Sequence, residues 1–576
     1  MDWHDELSWW QTAVVYQIYP RSFNDSREDT ESARRTDGEG SVRHPAGRPL
    51  PGDGVGDIPG IVERLDYLAD LGVDVVWLSP VYDSPQVDNG YDVRDYRAID
   101  ESFGTLADID HLVDELHARG MRLVMDLVVN HTSDQHEWFE ASRRGEEPYD
   151  DYYIWREGHD GGPPNNWEAV FGGSAWSYDE TRGEYYLSVF SSSQPDLNWA
   201  NSRVRKEVHD VVRWWLDRGV DGFRMDVVNF ISKTPGLPDG DPDGNVVGSE
   251  HFIDGPEVTA YLRELHDAVL SEYDAMTVGE MPGVSVEAAR AYLEAGLDMV
   301  FHFDHVNVGV GKSGIWDVPE WELPELKSVI DEWQSGLEEY WNAPYLGNHD
   351  QPRAVSRFGD ESFREESATA LATLLLTLRG TPFVYQGDEL GMTNYPFGTP
   401  EEFRDIETRQ YVQEALSGGE RTFEDIAPAV RFWSRDNART PMQWTDGSNA
   451  GFTTGDPWLP VNPNHETVNA EAERADPESV WHYYRRAIAL RKAHPGLAAG
   501  DFDHLIPDHP SVFAYRRDGG RYLVACNLSA EPATVDLPWT WEGADRLIGN
   551  YPADDEGGPT LALRPYEARV YGAGVD

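Results

Sequence analysis

Four carboxylates sit near the ends of short apolar runs: Asp126, Asp226, Glu280 and Asp350. In Gly222-Phe223-Arg224-Met225-Asp226-Val227, an alternating period puts Arg224 and Asp226 on one face of an extended segment and Phe223, Met225 and Val227 on the other. A guanidinium beside a carboxylate keeps it ionised, as a nucleophile must be. Taken alone, that pair equally suits a buried structural ion pair. Glu280, in Thr277-Val278-Gly279-Glu280-Met281, ends the next apolar run. If the two runs are neighbouring strands, about 4.8 Å apart, their carboxyls fall near the roughly 5–5.5 Å that a nucleophile and an acid/base need to cleave a glycosidic bond with retention. The His349-Asp350 pair at the end of a further run weighs against the purely structural reading. Most of the 104 Asp and Glu residues must be solvated surface, so position rather than residue type singles these out.

The runs themselves number eight: 13–20, 73–80, 122–130, 220–228, 276–281, 297–304, 343–350 and 381–387. Amphipathic stretches such as 58–71, 106–119, 203–218, 256–272 and 363–378 lie between them. Near-continuous apolar strands alternating with helices imply a parallel sheet covered on both faces. Eight of them imply a (β/α)₈ TIM barrel, whose chemistry sits at the C-terminal strand ends. The barrel is expected over 1–130 and 200–504. Residues 131–199, rich in Trp, Tyr, Gly and Asn, read as an irregular domain inserted after the third strand, and 391–456 as a second excursion. From 505 to 576 the pattern becomes alternating strands, 511–517, 521–528, 533–537 and 561–571, with a turn at Asp518-Gly519-Gly520, predicting a C-terminal antiparallel β domain.

Composition narrows the partners. The net charge over 576 residues is −57, and only five of the 47 basic residues are Lys. Such a chain is repelled by phosphate backbones and anionic lipid, which argues against nucleic acid and membrane partners. The 21 Trp, 27 Tyr and 20 Phe argue for a folded protein with an acidic skin rather than a disordered one. The single Cys526 excludes an intramolecular disulfide. Neither a secretory signal nor a membrane-length apolar run is visible, so the expectation is a cytoplasmic protein, monomer or small homo-oligomer. The acid excess, spread along the whole chain, predicts dependence on high monovalent salt, because in dilute buffer these charges oppose compactness.

Asp126-Leu127-Val128-Val129-Asn130-His131, residues 222–229, Val278-Gly279-Glu280 and Gly347-Asn348-His349-Asp350 resemble the four signature regions of the α-amylase superfamily of glycoside hydrolases, family 13. Gln194-Pro195-Asp196-Leu197-Asn198-Trp199 resembles a fifth region in the form typical of its oligo-1,6-glucosidase branch. Asp88-Asn89-Gly90-Tyr91-Asp92, residues 171–176 and 435–444 strengthen the match, which runs from about residue 10 to the C-terminus. The resemblance implies Asp226 as nucleophile, Glu280 as acid/base and Asp350 as the group that helps distort the sugar. It further implies sugar contacts from His131 and His349, Arg224 holding Asp226, and Asp88 with Arg439 closing the pocket under a stacked Tyr91. Arg435 is the weaker candidate for the Arg439 role. Val227, after the nucleophile, would line the site of the leaving sugar, as in relatives that prefer α-1,6 bonds. A closed pocket implies removal of single α-glucose units from short oligosaccharides, with possible transfer to a second sugar. Sucrose isomerase, trehalose-processing and trehalose-6-phosphate-hydrolysing activities are alternatives within the family. A non-catalytic transporter-associated homologue is a distant one, since such chains lack intact acids and carry a membrane helix.

No organic cofactor is implied. Relatives in this branch often hold Ca²⁺ or Mg²⁺ in a D-x-N-x-D-G-x-G-D loop after the first strand. Asp53-Gly54-Val55-Gly56-Asp57 resembles its second half and Asp25 its start, so Asp25, Asp53, Val55 and Asp57 are the expected metal residues. Between them, 26–52 is an insertion with five Arg and five acids and no apolar period, expected to be a mobile loop near the pocket rim.

Overall fold

The structure, a computed structural model, describes residues 7–26, 51–311, 314–318, 320–537, 544–553 and 560–573. Seven of the predicted apolar runs become parallel strands: β1 (Val15–Ile18), β2 (Val75–Leu78), β3 (Arg122–Val128), β4 (Gly222–Asp226), β5 (Met276–Glu280), β6 (Met299–Phe301) and β7 (Phe383–Tyr385). They form one curled sheet in the order β6-β5-β4-β3-β2-β1-β7. Apart from Arg122, every residue of these strands is buried, which is why the runs carry no polar alternation.

The run 343–350 does not become a strand. It makes a single parallel bridge, Tyr345 to Phe383, supported by the N–H groups of Thr381 and Phe383 donating to Asn342 O and Pro344 O, both at 2.9 Å. Pro344 has no N–H to extend the ladder, and the Asn348 side chain accepts from Asp350 N at 2.8 Å, turning the chain out of line. The segment nonetheless bridges the two ends of the sheet, because Tyr345 Oη also donates to His302 O at 2.8 Å. The architecture is the expected barrel, with the seventh stave reduced to a bridge.

Helices cover the sheet where amphipathic stretches were predicted: Leu106–Ala118 with a Thr105/Asp108 capping box, Ser202–Asp217 capped by Asn201, Val258–Ala268 and Arg364–Thr377. The last of these is not amphipathic in its setting. Ser367 to Thr377 are all buried, because helix Val480–Ala493 and the C-terminal sheet cover its outer side. Its Thr residues meet that cover through Thr373 Oγ1 to Tyr483 Oη and Thr377 Oγ1 to Tyr515 Oη, both 2.6 Å.

Within 131–199, Trp155–Arg156, Glu184–Leu187 and Trp176–Asp179 form a small antiparallel sheet. Bridges His131–Asp196 and Tyr153–Leu197 bring the return of this segment back to the end of β3. At the C-terminus, β8 (Phe502–His504), β9 (Val512–Arg517), β10 (Tyr522–Asn527), β11 (Ala533–Asp536), β12 (Asp545–Gly549), β13 (Thr560–Leu563) and β14 (Ala568–Gly572) form a five-stranded antiparallel sheet, β8-β9-β10-β14-β12, beside a β11–β13 pair. The sheet thus begins at Phe502 rather than 505. The expected single run 561–571 is two strands, split by a turn in which Tyr566 has φ 49°. The predicted turn holds Asp518, Gly519 and Gly520 at φ 54°, 60° and 85°, the left-handed region that glycine enters without steric cost.

Candidate active site

The strand register brings the four carboxylates to one end of the barrel. Arg224 pairs in register with Asp126 across β3 and with Val278 across β5, so its side chain stands between three strand ends. Its Nη1 lies 2.6 Å from Asp126 Oδ1 and 2.8 Å from Asp226 Oδ1, and its Nη2 2.5 Å from Glu280 Oε1. The side-chain alternation read from the sequence is therefore realised, and one guanidinium holds the proposed nucleophile and acid together. Asp226 and Glu280 face a cavity of about 300 Å³, whose lining includes Asp88, Tyr91, His131, Val227 and Asp350. Phe171, Phe190, Phe230, Asn307, Glu407, Trp433 and Arg435 complete much of its wall.

Three carboxylates share one Arg here. Burial pushes Glu280 up to about 7, with the charges of Asp226 and Asp350 adding to the rise and Arg224 opposing it. Burial also pushes Asp226 up to about 7 and Asp126 to about 6, against the pull of Arg224. The charge of Asp126 adds to the rise of Asp226, and Glu280, raised to about 7, can hold a proton near neutrality. Asp350 differs. Burial would raise it, but the Arg435 and Arg439 guanidiniums hold it well below the usual carboxylate range. Arg439 Nη2 is 2.5 Å and Arg435 Nη1 3.6 Å from Asp350 Oδ1.

The two Arg candidates exchange their expected places. Arg439 is 1% exposed and lies behind Asp350, donating also to His349 O at 3.0 Å. Arg435 lines the cavity and meets Asp88 at 3.4 Å. Arg435 also pairs with Asp405 at 2.5 Å and Glu407 at 3.7 Å, and stacks over Phe171 at 5.2 Å. His349 is likewise not at the cavity surface. It is fully buried, with Gln17 Nε2 2.8 Å from its Nδ1 and Tyr91 Oη 2.7 Å from its Nε2. Burial pushes it down to about 3, so it is neutral. Its ring stacks on Tyr91 with centroids 5.3 Å apart, and Tyr91 Oη donates in turn to Asp126 Oδ2 at 3.1 Å. His349 therefore orients Tyr91, which does line the cavity. His131 lines it too; burial pushes it down to about 4, and Nε2 lies 3.1 Å from Tyr91 O.

Val227 combines position with strain. Its φ of 33° and ψ of 43° are left-handed, a genuine outlier for a β-branched residue. This backbone turn points Val227 N at Glu280 Oε2, 3.2 Å away, while the side chain packs among Phe230, Trp167 and Leu187 and lines the cavity.

The carboxylates of the expected cation loop are bonded by their own chain. Asp25 accepts from Gly52 N, Gly54 N and Thr453 Oγ1, at 2.8, 2.9 and 2.5 Å. Asp57 accepts from Gly60 N and Ser26 Oγ at 2.6 and 2.7 Å, capping helix Ile58–Val62. Asp53 accepts from Val55 N at 2.9 Å. Among the described residues no group of three or more His, Cys, Asp or Glu side chains could hold a metal ion. Asp25, Asp53 and Asp57 thus each give at least one carboxylate oxygen to protein donors, and the described residues do not by themselves make up a Ca²⁺ or Mg²⁺ site. Most of the insertion expected near the rim, 27–50, lies outside the described residues.

Residues 17–500 match the α-amylase catalytic domain, and 502–570 the C-terminal domain of maltogenic amylase. The chain belongs to the α-amylase family. Among its relatives, an oligo-1,6-glucosidase of Halalkalibacterium halodurans is 50% identical, with 98% of each chain covered. A trehalose-6-phosphate hydrolase of Bacillus subtilis is 43% identical, also with 98% of each covered. The crystal structure of the trehalulose synthase MutB from Pseudomonas mesoacidophila MX-45 superposes with a TM-score of 0.90 at 44% identity, covering 98% of this chain and 99% of that one. Among the described residues of this α-amylase-family chain, no helix is long and apolar enough to cross a membrane.

Several lining residues escaped the sequence reading. Glu407 is one acid among 104, carrying no local signal. Asn307 and Phe190 come from loops, and Trp433 from the end of helix Phe423–Trp433, whose approach to the cavity is set only by packing. Gln17, at the end of β1, was hidden inside an apolar run.

Proposed function

We propose that this family member is a retaining, exo-acting α-glucosidase that releases glucose from the non-reducing end of short α-glucosides, with α-1,6 and α-1,4 bonds as substrates. The observation carrying this reading is the single guanidinium of Arg224 joined to both Asp226 and Glu280 at adjacent strand ends. Asp226 attacks the anomeric carbon from one side while Glu280 protonates the departing oxygen. The glucosyl–Asp226 ester is then cleaved by water that Glu280 deprotonates, giving net retention. Transfer replaces hydrolysis when a second sugar takes the water's place. Asp350, kept ionised by Arg439, accepts hydrogen bonds from the sugar hydroxyls. Asp88 and Arg435 close the far side of the pocket, with Tyr91 against the ring and His131 beside it. The terminal glucose is thereby enclosed, which supports exo over endo action.

This reading treats 1–130 and 200–501 as the catalytic barrel, 131–199 as the domain that walls the pocket, and the strands from 502 onward as a separate β domain. It involves no organic cofactor and routes no step through Ca²⁺ or Mg²⁺. A cytoplasmic, salt-adapted protein, monomeric or a small homo-oligomer, fits the acidic composition. The resemblance to a trehalulose synthase and a trehalose-6-phosphate hydrolase keeps sucrose isomerisation and trehalose-derivative hydrolysis as the second reading. Product analysis on isomaltose, maltose, sucrose, trehalose and trehalose 6-phosphate in molar KCl separates the two, and proton NMR of the first-formed sugar tests the mechanism. Initial α-glucose from isomaltose is expected; initial β-glucose overturns retention, and isomerised sucrose without glucosidase activity overturns the assignment.

A further inference from the structure

Arg357 belongs to helix Ala354–Phe358, seven residues beyond Asp350, and is 4% exposed. A buried guanidinium normally finds a carboxylate. Among the described residues Arg357 makes no such ion pair. Its Nη2 donates instead to two backbone carbonyls, Val306 O at 3.4 Å and Val308 O. Its Nε and Nη1 are buried without a hydrogen-bond partner. The charge rests against aromatic rings, Phe358 at 4.8 Å, Trp433 at 4.9 Å and Phe432 at 6.0 Å. Cation–π attraction is appreciable at this range when water is excluded.

What Arg357 touches explains why a buried charge stands there. Val306 and Val308 are buried, 1% and 7% exposed, while Asn307 between them is exposed and lines the catalytic cavity. Trp433 lines the same cavity, and its Nε1 is fixed by Asp317 O at 2.8 Å. One side chain thus grips both flanks of Asn307 and lies against the ring of Trp433. In sheet order, Asp226 ends β4, Glu280 ends β5, and Asn307 follows β6. The pocket residues Asp88 and Tyr91 follow β2 and His131 follows β3, on the other side of Asp226. Asn307 therefore borders the acid on the flank away from Asp88, Tyr91 and His131, before the 343–350 segment that carries Asp350, and this is the flank open to a leaving sugar or an incoming acceptor.

We infer that Arg357 is a positioning residue for the leaving-sugar side of the cavity: by clamping Val306 O and Val308 O beneath Trp433, it sets Asn307 and selects among the sugars accepted there. The inference rests on the α-glucosidase reading above. The role is one of placement, since Arg357 reaches neither the glucose nor the reacting carboxylates. A charged donor is suited to it because a carbonyl pair offers only acceptors, and a neutral side chain would release the loop.

The test compares Arg357→Met, Arg357→Lys and Asn307→Ala with wild type on isomaltose, which places a sugar beyond the acid, and on an aryl α-glucoside, which does not. For Arg357→Met the loss in kcat/KM on isomaltose should exceed that on the aryl glucoside by about tenfold, carried mainly by KM, the range of a few mislaid contacts. The ratio of transfer to hydrolysis should change in parallel. Arg357→Lys, which keeps a cation able to reach a carbonyl, should restore part of the difference. Asn307→Ala lies at an exposed position, folds independently of the clamp, and should shift the same ratio in the same direction. Equal losses on both substrates for Arg357→Met, or an unchanged ratio in Asn307→Ala, overturn the inference alone. A wild-type protein that cleaves neither substrate overturns the functional reading and this inference with it.

Discussion

At the residue scale, the chemistry turns on where one proton sits. Glu280 acts as acid only while protonated, and its carboxyl is pushed up to about 7 by burial and by the charges of Asp226 and Asp350. A raised carboxyl loses its proton as pH climbs through that value, so kcat/KM should fall about tenfold per unit above about 7, and it should also fall on the acid side, where Asp226, likewise pushed up to about 7, takes on the proton it must lack to attack. Glu280→Gln should cost several orders of magnitude on isomaltose. With an aryl glucoside, whose leaving group needs no acid, its residual activity should lack the alkaline limb; a limb that persists would assign the proton to another carboxyl of the cluster. Val227 is the second lever. Its branched side chain offers no hydrogen bond to a leaving sugar and crowds an α-1,4-linked one, whereas the extra rotatable bond of an α-1,6 linkage lets that sugar swing clear. Val227→Thr should shift the isomaltose-to-maltose ratio of kcat/KM towards maltose, by an amount within about 1–3 kcal/mol. Threonine keeps the β-branch at φ 33°, so the substitution tests polarity without altering backbone strain.

Elements are joined here by buried cations. Lys233 Nζ meets Asp196 at 2.5 Å, Asn130 Oδ1 at 2.8 Å and Phe230 O at 2.6 Å, tying the return of segment 131–199 to the loops after β3 and β4. The Lys233 side chain is 5% exposed and that of Asp196 is fully buried. Removing one partner of such a pair leaves an uncompensated buried charge, at a cost of about 3–5 kcal/mol. Lys233→Met should therefore lower Tm and open 131–199 to limited proteolysis before the barrel. Adding Asp196→Asn should recover part of the loss, because it removes the stranded charge; no recovery would mean that the lysine acts by packing alone.

Across the whole molecule, −57 formal charges oppose compactness, and the surface ion pairs that offset them weaken as salt rises. The attachment of the C-terminal sheet is built differently. Lys327 donates to Ile506 O, His509 O and Val512 O, and Arg517 of β9 donates to the carbonyls of Thr377, Leu497 and Gly500. Buried contacts between a cation and a carbonyl are screened far less than exposed ion pairs. Thermal unfolding should accordingly move to higher temperature from dilute buffer to molar KCl, as repulsion is screened while this interface is kept. An unchanged Tm and full activity without salt would remove salt adaptation from the functional reading.

The sequence by itself determined the elements and the acids. Apolar runs buried on both faces, with motifs at their ends, located β1 to β7 and placed Asp226, Glu280 and Asp350 at one end of a barrel, because local period and strand order are properties of the chain. It could not show that 343–350 would form only a bridge, since Pro344 disrupts a ladder whose partner lies some forty residues away, in the 381–387 run. Nor could it rank Arg435 against Arg439. Both belong to one short motif, and which of them faces the cavity depends on how Asp88, Asp350, Asp405 and Glu407 converge from separate loops. His349 is buried for the same reason: Gln17 and Tyr91, distant in sequence, claim both its ring nitrogens. Tertiary structure alone decided which polar groups face substrate and which hold them, because that depends on burial and partner competition, neither of which has a period along the chain.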